Sequence, residues 1–344
     1  MNILIDIGHP AHVHLFRNAA KIWIEHGHSI TITIRDKDIT SELLDLYGFS
    51  YHVASIARKG TIGLAFELIE HDFGVLKAAI RNKCQVLIGT SVAISHVSRI
   101  LGVKSIVFNE DDASIANTFV KLAYPLANAI VTPTSLNENH GKRHFVYDGY
   151  QKLAYLHPNY FKPNRIILEK LGVLPNEPYF ILRFVSLKAA HDQGESGLNE
   201  EMKSKIIKKL LNYGRVFITS EIPLSGDLLS YRLNIPTIDI HDALYFSKML
   251  IGDSQSMAVE AAILGVPSIR VNTFAKRCSV LIELENKYGL SFSFLLGQEE
   301  DIFIKIDELM NKQCLKDEWQ EKRTILLNDK IDVTKWIVDF VENF

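Results

Sequence analysis

Short continuous apolar runs alternate along this chain with longer stretches in which apolar residues return every three or four positions. The first pattern predicts buried strands, and the second predicts amphipathic helices. In the first half, strands are expected at 2–7, 29–34, 50–54, 85–88, 104–108 and 129–131. Helices are expected between them at 12–26, 40–47, 64–82, 93–101 and 113–122, the first two closed by Gly27 and Gly48. Strands that alternate with helices imply parallel sheet covered on both faces.

The alternation loosens over residues 148–164, an aromatic, proline-containing run that fits a linker. It then resumes, with strands expected at 179–184, 215–219, 237–240, 249–251 and 268–271 and helices such as 200–212. The expected organisation is an N-terminal Rossmann-like domain over 1–150, a C-terminal one over 151–330, and a closing helix over 331–344 that returns toward the first. The fold class is therefore α/β, two doubly wound domains facing a central cleft. Ligands in such sheets gather at the carboxyl ends of the strands.

Composition narrows the function classes. The 344 residues are 47% hydrophobic and 23% charged, with a formal net charge of −2, which gives no general drive toward nucleic acid or an anionic membrane. Cys84, Cys278 and Cys314 are far apart, which argues against a zinc site or a disulfide framework and for a reducing cytosol. The chain opens directly on a strand-like run with no basic leader, so no signal peptide is expected. No apolar run approaches about 18 residues, so no membrane span is expected, while attachment to a surface stays open. The stretch from Lys152 to Lys162 fits a hinge between domains or a membrane contact.

Candidate chemistry sits just after the strands. Gly8-His-Pro-Ala-His-Val-His14 follows the first. His9, His12 and His14 lack the carboxylate or cysteine that metal binding would want, and they suit acid–base work near neutral pH or simple capping. After 104–108 come Glu110, Asp111 and Asp112, three acids at a predicted helix start, where the dipole favours them as caps and where Glu110 or Asp111 could serve as a base. Thr90-Ser91 fits a cap better than a substrate contact. In the second half, Arg183 could clamp a diphosphate or form a structural ion pair, and it precedes a polar loop from Ser186 to Gly197. Ser220 and Glu221 end the next strand, and His241-Asp242 follow the 237–240 run.

The most telling segment is Gly252-Asp-Ser-Gln-Ser-Met-Ala-Val-Glu260-Ala-Ala-Ile-Leu-Gly265-Val-Pro267. An apolar strand passes through a tight polar loop into a short amphipathic helix that Gly265 and Pro267 stop. A helix N-terminus offers outward N–H groups and a favourable dipole to an anion. Asp253, Ser254, Gln255 and Ser256 thus suit a diphosphate, and Glu260, one turn beyond Ser256, suits ribose hydroxyls. The same turn also occurs in proteins that bind nothing there.

These residues resemble a known superfamily. The loop followed by Glu-Ala-Ala-x-x-Gly-x-Pro is similar to the C-terminal signature of GT-B enzymes, shared by the glycosyltransferase MurG and the UDP-N-acetylglucosamine 2-epimerases. The stretch Ser105–Asn117 with Leu126–Val131 resembles the MurG-like helix start. The opening Ile3–Asn18 together with Gly149–Leu156 resembles an uncharacterised microbial family, a domain of unknown function grouped with the GT-B superfamily. The resemblance implies a UDP-type donor on the C-terminal domain, with Glu260 on the ribose, Ser254 to Ser256 on the diphosphate and the 238–242 neighbourhood on the base. It implies a glycan or lipid-linked acceptor on the N-terminal domain near the His9–His14 loop.

The expected reaction is inverting, metal-independent glycosyl transfer in surface polysaccharide synthesis at the cytoplasmic side, with the UDP-sugar as substrate and no cofactor. His12 is the first choice of base, then Glu110 or Asp111. A UDP-sugar 2-epimerase or hydrolase, or a silent nucleotide-sugar-binding protein, is the alternative. Gln255-Ser256 replaces the glycine pair usual in the phosphate loop. The epimerases' Arg-Pro-Glu opening and His-Val-Glu-Ala-Gly run are absent, which lowers that alternative.

Overall fold

The structure is a computed structural model that describes residues 1–58, 60–186, 196–224, 226–273 and 275–344. They form two compact units, Met1–Tyr160 with Lys330–Phe344, and Phe161–Asp329. Residues 151–160, grouped with the second domain in the sequence-based division, pack with the first unit.

In the first unit the strands are β1 (Asn2–Ile7), β2 (Ser29–Asp36), β3 (His52–Ile56), β4 (Val86–Gly89), β5 (Lys104–Phe108), β6 (Ala129–Pro133) and β7 (His144–Tyr147). Among the described residues they make one parallel sheet in the order β3-β2-β1-β4-β5-β6-β7. The order reverses between β1 and β4, so the loops after these two strands flank the topological switch point. The helices of this part are α1 (Pro10–Glu25), α2 (Thr40–Leu46), α3 (Thr61–Arg81), α4 (Val92–Leu101), α5 (Asn117–Ala123) and the single turn α6 (Leu153–Leu156). Trp23 and Phe16 are fully buried beside the sheet, the Phe16 ring standing edge-on to Phe108 at 5.4 Å. On the other face Leu87, Ile94, Val97, Val107 and Ile130 close a core with α4.

The second unit holds α7 (Ile166–Lys170), β8 (Tyr179–Phe184), α8 (Glu200–Leu210), β9 (Arg215–Ser220), α9 (Ile240–Phe246), β10 (Met249–Gly252), α10 (Gln255–Leu264), β11 (Ser268–Val271), α11 (Ser279–Asn286), β12 (Ser291–Phe294), α12 (Glu299–Met310) and α13 (Leu315–Asp329). Its parallel sheet runs β12-β11-β10-β8-β9, with the switch between β10 and β8. The last helix, α14 (Val333–Asn343), belongs to the first unit. Asp332 caps it by accepting from the Lys335 amide, and Thr334 Oγ1 donates to the Ala154 carbonyl at 2.6 Å.

Two predicted elements differ. Residues 237–240 are no strand. Thr237–Asp239 is a 3-10 turn running into α9, because the run is half-exposed and the position beside β8 is filled by β10. Asp111 and Asp112 precede a turn rather than a helix start, since α5 begins only at Asn117. The strands β7 and β12 also went unpredicted, each being a four-residue run whose pattern is too short to read. No described helix is long and apolar enough to cross a membrane.

Candidate functional site

In the second unit the switch point is built around Gly252. A Cβ there would stand 2.0 Å from the Arg183 carbonyl oxygen, so β10 can lie against β8 only with glycine at that position. Ser254 follows as N-cap of α10, its Oγ accepting from the Met257 amide at 3.3 Å. The amides of Gln255 and Ser256, which have no acceptor within their own helix, stand at its partly exposed end. Gly265, in the left-handed region at φ 68°, closes the helix.

α10 is not amphipathic, as the sequence pattern suggested, because Met257–Leu264 are all buried. It runs between sheet and neighbouring helices, so Glu260 is a buried carboxylate rather than a solvated one. One of its oxygens lies 3.4 Å from Nε2 of the equally buried His241 on α9. Asp253 is buried too, and its Oδ1 accepts from the Val185 amide at 2.7 Å, tying β10 to the start of the loop after β8. Burial pushes the Asp253 carboxyl up to about 6, with the Val185 hydrogen bond partly opposing. The Asp253 carbonyl accepts from the Asn272 side chain at 3.1 Å.

Arg183, Ser220 and Glu221 lie together at the ends of β8 and β9, where Arg183 pairs with Glu221. Arg183 donates to Thr219 Oγ1 at 3.0 Å and to Glu221 Oε1 at 2.5 Å, while the Ser186 amide donates to Glu221 Oε2. Ser220 Oγ caps a local turn through Ile222. The ion-pair alternative for Arg183 is therefore the one present. Of the polar loop from Ser186 to Gly197, residues 187–195 lie outside the described residues.

A cation that the sequence reading passed over is Arg270. It sits on β11 directly beside Gly252 in register, wholly buried, and none of its three guanidinium nitrogens meets a hydrogen-bond partner among the described residues. Burial lowers its pKa to about 10, and nearby Cys278 and Glu285 counteract this only in part. An arginine within the apolar run Ser268–Val271 was the available signal.

The first unit's switch point is furnished differently. His9 is the N-cap of α1, its Nδ1 accepting from the Ala11 amide at 3.2 Å, with Pro10 in the first turn. His12 lies on the next turn, 5.9 Å ring to ring from His9, and Thr90 Oγ1 after β4 stands 2.6 Å from its Nδ1. Burial, then the neighbouring His9 and Lys152, push the His12 pKa down to about 3, so the ring is neutral at physiological pH. His14 points elsewhere. It is buried between Tyr155, 5.1 Å away ring to ring, and Tyr47 at 5.8 Å, in a packing role. Glu110 is buried and accepts from the Gln151 amide and the Lys152 ammonium, whereas Asp111 is exposed. Asn109 cradles the Asp111 backbone from both sides.

Near His12 lies a second group that the sequence reading missed. Asp6 on β1 is fully buried and accepts from Thr33 Oγ1 at 2.6 Å and from His71 Nε2 at 2.9 Å, and Ser55 Oγ stands 2.7 Å from His71 Nδ1. Burial alone would raise the Asp6 carboxyl, but the adjacent His71 reverses this and holds it below its ordinary value. His71 is raised in return, against its own burial. A buried carboxylate is tolerable only when paired and hydrogen-bonded in this way. His71 comes from α3, 65 residues away, so no local pattern could announce the pair.

Two parallel, doubly wound α/β units define a fold of the GT-B type, and comparison with solved structures agrees. The fold matches an S. aureus MnaA–UDP co-structure at TM-score 0.71, with 11% identity over 99% of this chain and 96% of that one. It matches a Neisseria meningitidis UDP-GlcNAc 2-epimerase bound to UDP-GlcNAc at TM-score 0.66, with 13% identity over the whole of both chains. Acinetobacter baumannii MurG matches at 0.60, also at 13% identity and over the whole of both chains. The chain itself belongs to the family described as "Protein of unknown function (DUF354)", which it matches over residues 1–344. It is also 26% identical over 284 residues to the uncharacterized protein MJ0665 of Methanocaldococcus jannaschii, covering 78% of this chain and 81% of that one.

Proposed function

We propose that the chain binds a nucleoside diphosphate sugar at the α10 end of its second unit and transfers the sugar to a hydroxyl-bearing glycan or lipid-linked acceptor taken up by the first. The observation that carries this reading is the end of α10 itself. A serine-capped helix whose first two amides have no acceptor within their own helix stands at a topological switch point, one turn from a buried carboxylate. The diphosphate is assigned to the amides of Gln255 and Ser256, with the buried charge of Arg270 on the neighbouring strand adding a positive field. Ribose hydroxyls are assigned to Glu260, which would exchange its contact with His241 for them, and the base to the residues around His241 and Asp242. Arg183 could reach phosphate only by giving up Glu221. UDP is the first nucleotide to try, because fold neighbours were solved with UDP or UDP-GlcNAc.

The developing charge on the leaving diphosphate would meet a preorganised helix end rather than mobile water. Proton transfer from the acceptor is assigned to His12, neutral and oriented by Thr90. Its low pKa makes it a weak base, which fits proton transfer that lags bond formation. A thermal-shift series over nucleoside diphosphates tests the binding half. UDP at about 100 times its Kd should add about 2.7 kcal/mol, and a flat response to every nucleotide would overturn the proposal. Acceptor dependence tests the other half. UDP release or sugar conversion without any acceptor hydroxyl would replace transfer by hydrolysis or 2-epimerisation on the same donor site.

A further inference from the structure

The helix α3 buries Val75, Ala78 and Ala79 in the core of its unit, yet it carries a second set of apolar residues on its outward face. A helix that covers a sheet normally buries its apolar stripe and shows its charges to water. Here the covered face includes Glu67 and His71, with Gly74 pressed so close to β3 that a Cβ would stand 2.5 Å from Ala54 Cα. The outward face carries Ile62, Phe66, Ile69, Phe73 and Ile80, each between 54% and 75% exposed, with Leu76 half-buried among them. The covered polar residues have partners in this chain: Glu67 takes Arg35 and the Arg58 amide, and His71 takes Asp6. Five of these six apolar residues are covered by no described element, and Leu76, the sixth, packs partly against the unit's own core. Such a continuous apolar stripe is uncommon on a monomer and marks an interaction surface.

The spacing of the stripe identifies the kind of partner. Its six residues follow one another by 4, 3, 4, 3 and 4 positions, which is the heptad seam of one helix packed along another. The charges beside it identify the orientation. Glu70 and Lys77 lie one heptad apart on the same flank, both reaching the surface. Two such helices running antiparallel bring each Glu70 beside Lys77 of the partner subunit, twice by symmetry, as an isologous contact requires. A helix lying on a lipid surface would show lysine and arginine along its polar flanks. The flanks of α3 instead carry both signs, including Asp72, which accepts from His96 at 2.7 Å. We infer that α3 is the docking surface for a second copy of this chain, packed antiparallel about a two-fold axis.

Glu70 also bonds Arg58 at 2.7 Å, a surface pair that could be exchanged for the intersubunit one. Light scattering on the full chain should find a particle of about twice 39.0 kDa. The double variant Phe66→Glu/Phe73→Glu should run as a folded monomer whose thermal transition no longer depends on protein concentration, because neither ring contributes to the unit's own core. Glu70→Lys should weaken the dimer about tenfold, and adding Lys77→Glu should restore it, because the exchange rebuilds the cross-pair only in the antiparallel arrangement. A chain that stays monomeric at its highest soluble concentration would overturn the inference. So would a dimer that survives the Phe66/Phe73 variant, or a monomer that floats with anionic phospholipid vesicles through this face.

Discussion

The two switch points of this chain stand at equivalent places in equivalent sheets and are finished in opposite ways. In the first unit the polar groups are spent on one another. Thr90 holds His12, Lys152 and the Gln151 amide hold Glu110, and His71 holds Asp6. In the second, the first two amides of the helix have no acceptor within it, and a buried arginine on the neighbouring strand has no hydrogen-bond partner among the described residues. Desolvated donors waiting for an acceptor cost stability, whereas a closed network adds to it. Under the proposed function, the second unit supplies the anion site, while the first holds a preset arrangement of neutral and paired groups. Binding energy is thus expected from one unit and orientation from the other.

His12→Ala puts that division to its hardest test. Turnover of a nucleotide-sugar donor should fall by roughly 10²–10⁴-fold, while UDP-induced stabilisation stays as in the unaltered chain. Loss of UDP binding in this variant would erase the distinction between the units. Glu260→Ala is the reverse experiment. Removing a charged acceptor should weaken UDP by about 3 kcal/mol, or roughly 100-fold by calorimetry. Uridine and UDP should lose affinity alike, whereas inorganic diphosphate binding should not change. An equal loss for diphosphate would move Glu260 away from the ribose.

A smaller effect sharpens the comparison through pH. Asp253, raised to about 6 from 3.8, favours the folded state when protonated. Its contribution is complete below about 3.8 and is lost as pH rises through about 6, a penalty on the order of 3 kcal/mol at neutral pH. His12, lowered to about 3 from 6.5, acts in the opposite sense, contributing fully above 6.5 and losing its contribution as pH falls toward 3. Asp253→Asn keeps an acceptor for the Val185 amide, so it should raise the melting temperature at pH 7 and leave it unchanged near pH 3.5. A variant less stable at pH 7 would show that the ionised carboxylate is needed by the fold.

Much of this was legible in one dimension. The alternation of apolar runs and helical periods is local, so most strands, the parallel class and the closing helix could be read directly. The serine cap with its following helix, and the glycine that lets β10 meet β8, are likewise local signals. Residues 237–240 misled because two isoleucines in alternation look like a strand when no partner strand can be seen. The histidines were legible as a group but not as individuals. His9 caps, His12 meets Thr90 from 78 residues away, and His14 packs between tyrosines.

The sequence alone therefore determined the order and kind of elements and the places where anion-binding or acid–base residues gather, because those depend on period, caps and turn residues a few positions apart. Tertiary structure decided which of those residues are already occupied. Only packing made Glu260 a buried acid, paired Arg183 with Glu221, left Arg270 without a hydrogen-bond partner among the described residues, and set the apolar stripe of α3 outward. Each of these outcomes rests on contacts between distant positions or on which side of a helix meets the sheet, and periodicity alone does not specify either.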